Sequence, residues 1–176
     1  MIEIEKDIIN RCRQKERKAQ MHLYATLSRR VYNSCYRILN DSFDAEDAMQ
    51  ESFLKVFSGL DHYDDNIPFV AWVTRIAINA SIDKLRTKKL DFVQLDNNMG
   101  GIEEDDDDWE DTMEKVEKIK KAISELPDAA RVIVTLYLIE GYDHEEISEI
   151  LHVKAGTVRI QYMRAKQRLL EILKTA

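Results

Sequence analysis

Apolar residues recur three or four positions apart along nearly the whole chain, and period-two alternation is hard to find. That pattern predicts an all-α protein. Ile4, Ile8 and Ile9 outline a short amphipathic helix over 3–14. Leu23, Leu27, Val31, Cys35 and Ile38 or Leu39 outline a long one from about Glu16 to Asn40, where Asn40-Asp41-Ser42 ends it. A third helix, from Asp44 to about Ser58, turns Ala48, Ser52 or Phe53, Val56 and Phe57 inward. It carries Asp44, Glu46 and Asp47 in its first turn, where the helix dipole favours acids. Gly59 to Ile67 reads as a loop. Pro68 then suits the first turn of a fourth helix, PFVAWVTRIAINASIDKLRTKK. Phe69, Trp72, Val73, Ile76, Ala77 and Ala80 form its apolar band, and Lys84, Arg86, Lys88 and Lys89 make its end basic.

The helical period stops between Asp91 and Asp111. Asn97-Asn98-Met99-Gly100-Gly101 and a run of acids mark that stretch as a flexible linker. Two small helical domains follow, 1–90 and 113–176, joined by an acidic linker over 91–112. The second domain opens with a helix through Val116, Ile119 and Ile123. Pro127 starts another, DAARVIVTLYLIE, which Gly141 ends as a C-cap.

The segment DHEEISEILHVKAGTVRIQYMRAKQRLLEILK comes next. Asp143 and Glu146 have the spacing of a capping box. Ile147, Ile150 and Leu151 give the first helix its stripe, and His152-Val153 breaks the pattern. A second helix runs from near Lys154 or Ala155 to about Lys174, burying Val158, Tyr162, Ala165, Leu169 and Ile172 or Leu173. Arg159, Arg164, Lys166 and Arg168 occupy its other face. Two short-linked helices, the second longer and basic, describe a helix-turn-helix. Its second helix suits the major groove, where arginine reads guanine and apolar groups touch the thymine methyl.

Charge supports that reading over a plain helical hairpin with a solvated basic face. The chain has 176 residues and a formal net charge of −7, which at first argues against nucleic acid. Yet residues 96–114 hold ten acids and no Lys or Arg; taking these from the 33 acids leaves 23 against 26 basic residues. The acidity is one local block, and charge is read by segment. From Lys154 to Lys174 six basic residues face one acid, Glu171.

Other chemistries find little support. Cys12 and Cys35 are too few for a disulfide framework and lie in no metal-ligand spacing. A reduced, cytosolic compartment is the natural expectation. The start, MIEIEKD, lacks the pattern of a secretory signal, and no run approaches the roughly 20 apolar residues of a membrane span. A metal-dependent enzyme using Glu103–Asp108 is disfavoured, because metal sites need rigid carboxylates with support behind them. His22, His62, His144 and His152 are scattered, and no nucleophile–base pair has motif context. Neither a cofactor, a metal nor an enzymatic activity is expected.

Three segments together resemble a known family. LPDAARVIVTLYLIEGYDHEEISEILHVKAGTVRIQYMRAKQRL is similar to the C-terminal DNA-binding domain of bacterial RNA polymerase sigma factors. DAEDAMQESFLKVF resembles the helix with which sigma factors grip the polymerase clamp, and FVAWVTRIAINASIDKLR the helix that opens the promoter. Their order, with one linker and no middle domain, is that of the small extracytoplasmic-function (ECF) sigma factors, and the resemblance covers nearly the whole chain.

The resemblance implies roles residue by residue. Asp44, Glu46, Asp47, Gln50 and Glu51 fall where the family binds core polymerase, although helix N-terminal chemistry alone would account for the first three. Trp72, Arg75, Asn79, Lys84 and Arg86 fall in the helix that reads and melts the minus-ten element; Trp72 suits the core as well as a stacking surface. The loop Gly59–Ile67 lies where ECF factors hold a flipped-out base, on which His62 or Tyr63 would stack. Lys154, Thr157, Arg159, Ile160, Met163, Arg164, Lys166 and Arg168 fall on or beside the face that reads the minus-thirty-five element. The implied partners are core polymerase and promoter DNA, without membrane insertion; many ECF relatives also have an anti-sigma factor, which makes one a candidate partner. The implied role of the acidic linker is to enter the basic nucleic-acid channel of the polymerase; a secondary one, open on charge alone, is to fold back on the basic helices Lys84–Lys89 and Lys154–Arg168 in the free protein.

Three positions depart from the family pattern. Ile78 stands where arginine is frequent. Ile160 and Met163 are more apolar than a typical reading surface. His152 takes a turn position usually given to glycine, which needs a positive φ that histidine tolerates better than a branched residue. The rival reading is a stand-alone helix-turn-helix regulator that binds duplex DNA without polymerase. It has no use for the DAEDAMQESF helix or for the helix from Trp72 to Arg86.

Overall fold

The computed structural model describes residues 4–88 and 113–175. The stretch read as a linker, 91–112, with nearly all of the acid run, lies outside the described residues, as does Lys89. Among the described residues the secondary structure is helical throughout, in two compact units.

The first unit holds α1 (Lys6–Arg13), α2 (Arg17–Leu39), α3 (Ser42–Gly59) and α4 (Phe69–Thr87), with a 3-10 turn at Leu60–His62. Helices α2, α3 and α4 pack on one another in all three pairings, and α1 lies against α2 and the 3-10 turn. Their shared core includes Leu23, Leu27, Val31 and Ile38 of α2, Val56 of α3, and Val73, Ile78 and Ile82 of α4, all essentially without solvent contact. Ile78 is thus a core residue here. Polar residues inside the bundle close on their own helices: Ser81 Oγ donates to the Ala77 carbonyl (2.8 Å) and Thr74 Oγ1 to that of Val70 (2.7 Å). Asn40 ends α2 in the left-handed region (φ 53°), one of the few residue types that adopt it readily.

The second unit holds α5 (Met113–Ser124), α6 (Asp128–Val134), a π turn at Thr135–Ile139, α7 (His144–Leu151) and α8 (Ala155–Thr175). Ala122, Ile123 and Leu126 meet Ala130 and Val134 of α6 and Ala165 and Leu169 of α8 in one apolar cluster. Arg131, buried among them, donates to the Leu126 carbonyl (3.1 Å) and pairs with Asp128, so its charge is compensated inside the fold. Gly141 takes φ 78° at the end of the helical run, where a side chain would be strained. No helix among the described residues is long and apolar enough to cross a membrane.

Candidate nucleic-acid interface

The helix-turn-helix is built from local signals. The Asp143 carboxylate accepts from the Glu146 N–H, and the Glu146 carboxylate accepts from the Asp143 N–H, both at 2.8 Å. Such a cap stabilises a helix start by about 1 kcal/mol. His152 ends α7 at φ 56°, and the next N–H, that of Val153, returns to the Ser148 carbonyl. The chain re-enters helix at Ala155. Ile147, Ile150 and Leu151 of α7 and Val158 of α8 are buried in the same unit, where the two helices pack together.

In α8 the buried residues are Val158, Gln161, Ala165 and Leu169. The expected stripe ran through Tyr162 instead. That side chain is half-buried, with its ring 4.3 Å from Tyr137 and 5.3 Å from His144, and burial raises its phenol pKa. Tyr137 and His144, stacked on each other at 4.7 Å, give the Tyr162 ring its place at the rim of the core, and Gln161 takes the inward position.

At 100° per residue, Arg159, Ile160, Met163, Arg164 and Lys166 share an arc of roughly 160°, centred opposite the buried arc. Arg159 and Lys166 are exposed, Arg164 is half-buried, and Ile160 and Met163 are 54% and 49% exposed. Among the described residues of this unit nothing covers the two apolar side chains deeply, so they are presented together with the basic groups. Thr157, half-buried, and Arg168, exposed, lie just beyond the Arg164 edge of this arc, and Lys154, exposed, precedes the helix. The Arg159 guanidinium bonds Glu145 at the start of α7.

On the first unit, α3 begins at Ser42, two residues before the expected start, because Asp41 caps it through the Asp44 N–H (2.9 Å). Asp44 therefore lies in the first turn, while Glu46 and Asp47 fall just beyond it. Asp44 is partly buried and bonds Lys88; Lys84 Nζ lies 3.2 Å from Asp47 and 3.7 Å from Asp44. The acids at the start of α3 thus hold the lysines at the end of α4, each sign at the helix end that favours it. Gln50 and Glu46 are exposed, and Glu51 pairs with Lys55 at 2.6 Å.

The hydrogen bond from Lys88, with the charges of Lys88 and Lys84, holds the Asp44 carboxyl below its usual range against the opposing effect of burial. A carboxyl depressed in the folded state stabilises the fold above its unfolded pKa of about 4, and loses that contribution as pH falls through the folded value. Asp44→Asn is therefore expected to be less stable than wild type at neutral pH. The difference should shrink steadily in acid below about pH 4. Thermal melts of the full chain across that range measure it; a gap that stays constant with pH would remove Asp44 as its source.

Two side chains escape the reading of α3 from sequence. Phe43 is 80% exposed and Leu54 72%. With Asp47 and Gln50 they share an arc of roughly 60° opposite buried Ala45, Ala48, Ser52 and Val56. The signal was present in the spacing, since 43, 47, 50 and 54 form a second helical stripe with apolar ends.

Along α4, Trp72, Arg75, Ile76, Asn79 and Arg86 lie on one outward stripe, half-buried except for exposed Asn79. Lys84, also half-buried, sits off that stripe, toward α3. Trp72 packs its ring 5.0 Å from Tyr63 and 5.6 Å from Phe69 while keeping part of its surface in solvent. Tyr63 itself is only 7% exposed: its ring also meets Phe69 edge-on at 5.0 Å, its hydroxyl bonds the Ile67 carbonyl, and burial raises its pKa. Arg13 of α1 lies over the same ring at 5.9 Å and donates to the carbonyls of Leu60 and Tyr63. Tyr63 is thus the post around which the loop is wound, Arg13 is its clamp, and His62 is exposed beside it. Arg13 was not legible as a loop residue, because its partners lie 47 to 52 positions away.

Comparison with known proteins converges on one family. The model of sigma-70 region 2 matches residues 23–90, and that of sigma-70 region 4 matches residues 117–169. The ECF RNA polymerase sigma factor SigW of Bacillus subtilis is 34% identical over 152 residues, covering 80% of this chain and 81% of that protein. The ECF RNA polymerase sigma factor SigE of Mycolicibacterium smegmatis is 32% identical, over 82% of this chain and 57% of its own. Among solved structures, the sigma factor RpoE bound to the anti-sigma factor NepR from Bartonella quintana aligns with a TM-score of 0.57 at 21% identity, covering 88% of this chain and 96% of that one. CnrH in complex with the cytosolic domain of CnrY aligns with a TM-score of 0.55 at 18% identity, covering 96% of each chain. These two likenesses speak for the fold.

Proposed function

Because the chain belongs to the ECF group of bacterial RNA polymerase sigma factors, we propose that its two units divide promoter recognition between the surfaces described above. As a sigma factor it binds core polymerase and promoter DNA, directs transcription initiation, and is not itself an enzyme. The region 2 match weighs against a stand-alone regulator, which would not use that half of the chain.

In the proposed division, residues 1–90 dock on the polymerase and open the minus-ten element, and residues 113–176 read the minus-thirty-five element. The outward stripe of α3, with Asp47 and Gln50 between Phe43 and Leu54 and with Glu46 and Glu51 at its sides, faces the polymerase. Asp44 acts from behind it through the lysines. On α4, Trp72, Arg75, Asn79 and Arg86 meet the separating strands, with Lys84 beside them. His62 offers the stacking surface for an extruded base, and Tyr63 holds the loop that presents it. On α8, Arg159 and Arg164 reach base edges or phosphates, Ile160 and Met163 touch thymine methyls, and Lys154, Thr157, Lys166 and Arg168 secure the backbone. A working place in the cytoplasm, with the polymerase, follows from this role. The acidic linker, read from sequence alone, would occupy the basic channel of the polymerase.

The observation that carries this reading is the opposition of faces on α8: the basic and apolar reading arc lies directly across from the buried one. Run-off transcription with purified core polymerase on candidate promoters tests it, together with a polymerase pull-down. Retention on duplex DNA with no polymerase binding would return the stand-alone regulator.

Asn79→Ala gives a sharper test of the α4 assignment. Asn79 is exposed and contributes nothing to the core. Its loss is expected to leave folding and polymerase binding intact and to slow strand separation, followed with a fluorescent base in the minus-ten region. A promoter melted in advance should rescue the variant; an equal defect on that template would place Asn79 outside strand opening.

A further inference from the structure

Glu145 is an acid in the first turn of α7, the first helix of the helix-turn-helix, which in that motif crosses the DNA backbone. An unpaired carboxylate there repels phosphate. It is not needed as a cap, because Asp143 and Glu146 form the capping box without it. Its bond goes to the Arg159 guanidinium across the turn, and both side chains are more than half exposed. An exposed ion pair of this kind adds little to fold stability. Its effect falls on Arg159.

A guanidinium presents five N–H donors in a rigid fork. Glu145 takes one, through Nη2. Untethered, a long arginine samples many rotamers and meets a phosphate as readily as a base. Held from one side, it loses fewer rotamers on docking, and the direction of its remaining donors is set. A bidentate contact to guanine O6 and N7 needs two donors arriving together, so it gains most from that restraint. We propose that Glu145 is a positioning residue for base recognition: it orients Arg159 toward a base edge and so sets the preference at one position of the minus-thirty-five element. This rests on the proposed reading of α8 as the helix that recognises that element.

The experiment uses holoenzyme assembled from the full chain and core polymerase, incubated with a promoter library randomised across the minus-thirty-five segment, with bound DNA sequenced. Arg159→Ala identifies the base position that Arg159 reads. Glu145→Ala is expected to flatten the preference at that same position on the order of tenfold. Glu145→Gln keeps an oxygen that accepts from Nη2 and is expected to retain most of the preference despite losing the charge. The double variant should be no flatter there than Arg159→Ala alone. A Glu145→Ala profile identical to wild type, even with tighter binding overall, would show that Glu145 only repels DNA and would overturn the proposal. Flattening at other positions, or equal flattening by Glu145→Gln, would overturn it as well. A wild-type profile flat across the whole segment would instead remove the reading of α8, and the inference with it.

Discussion

Truncating Arg164 to alanine is expected to weaken binding of the holoenzyme to a minus-thirty-five duplex by about 1–3 kcal/mol, the usual worth of one specific arginine–base contact. Arg164 sits at the edge of the reading arc, next to Ile160 and away from Arg159. The two arginines are five positions apart, which turns them roughly 140° from each other around the helix. Arg159 and Arg164 thus approach the duplex from different sides of the helix, and each loss reports the group that its arginine contacts. A base-reading arginine, once removed, relaxes preference at its position. A phosphate-binding one weakens all sequences alike and lowers the salt slope by about one. Because Arg164 is half-buried, its aliphatic stem also packs, and alanine removes that packing too. Arg164→Met keeps the stem and discards the guanidinium, so it should lose as much affinity as alanine with a smaller change in unfolding temperature. Unchanged affinity and unchanged base preference in both variants would take Arg164 off the reading surface.

What could be read from the chain before its structure follows the range of the forces involved. Asp143 and Glu146 act over three residues, and the cap they predict is present in full. His152 needs only its own φ to close the turn. The stripe of α2, from Leu23 to Leu39, is a matter of period alone, and those positions are buried. Tyr63 is different. Its sequence context reads as a polar loop, while its burial is decided by Phe69, Trp72 and by Arg13 fifty positions earlier. The exchange between Gln161 and Tyr162 has the same origin: period selects the apolar candidate, but Tyr137 and His144 supply a better place for the ring. Asp44 and Lys84 were assigned to separate surfaces by resemblance, and only the packing of α3 on α4 shows them in one charge cluster. The π turn at Thr135–Ile139 had no local signal in DAARVIVTLYLIE, which reads as one uninterrupted helix.

Alanine at both Phe43 and Leu54 is expected to lower affinity for core polymerase by about 2 kcal/mol or more, roughly thirtyfold, with little change in the unfolding midpoint. The two halves of that expectation come from the same observation. Side chains that are 80% and 72% exposed contribute little to the free chain, so their removal leaves the fold nearly untouched. Covered by a partner, each is worth up to about 1.5–3 kcal/mol of transfer, reduced by the cost of ordering the interface. Glu51 offers the internal comparison. It is exposed, already paired with Lys55, and lies at the side of the stripe, so its truncation should cost less than about 1 kcal/mol. Competition of each variant with labelled wild type for core polymerase gives the affinities, and thermal melts give the control. If the double variant competes as well as wild type, the outward face of α3 is not where the polymerase docks. If it loses affinity only in step with its stability, Phe43 and Leu54 belong to the fold and not to the interface.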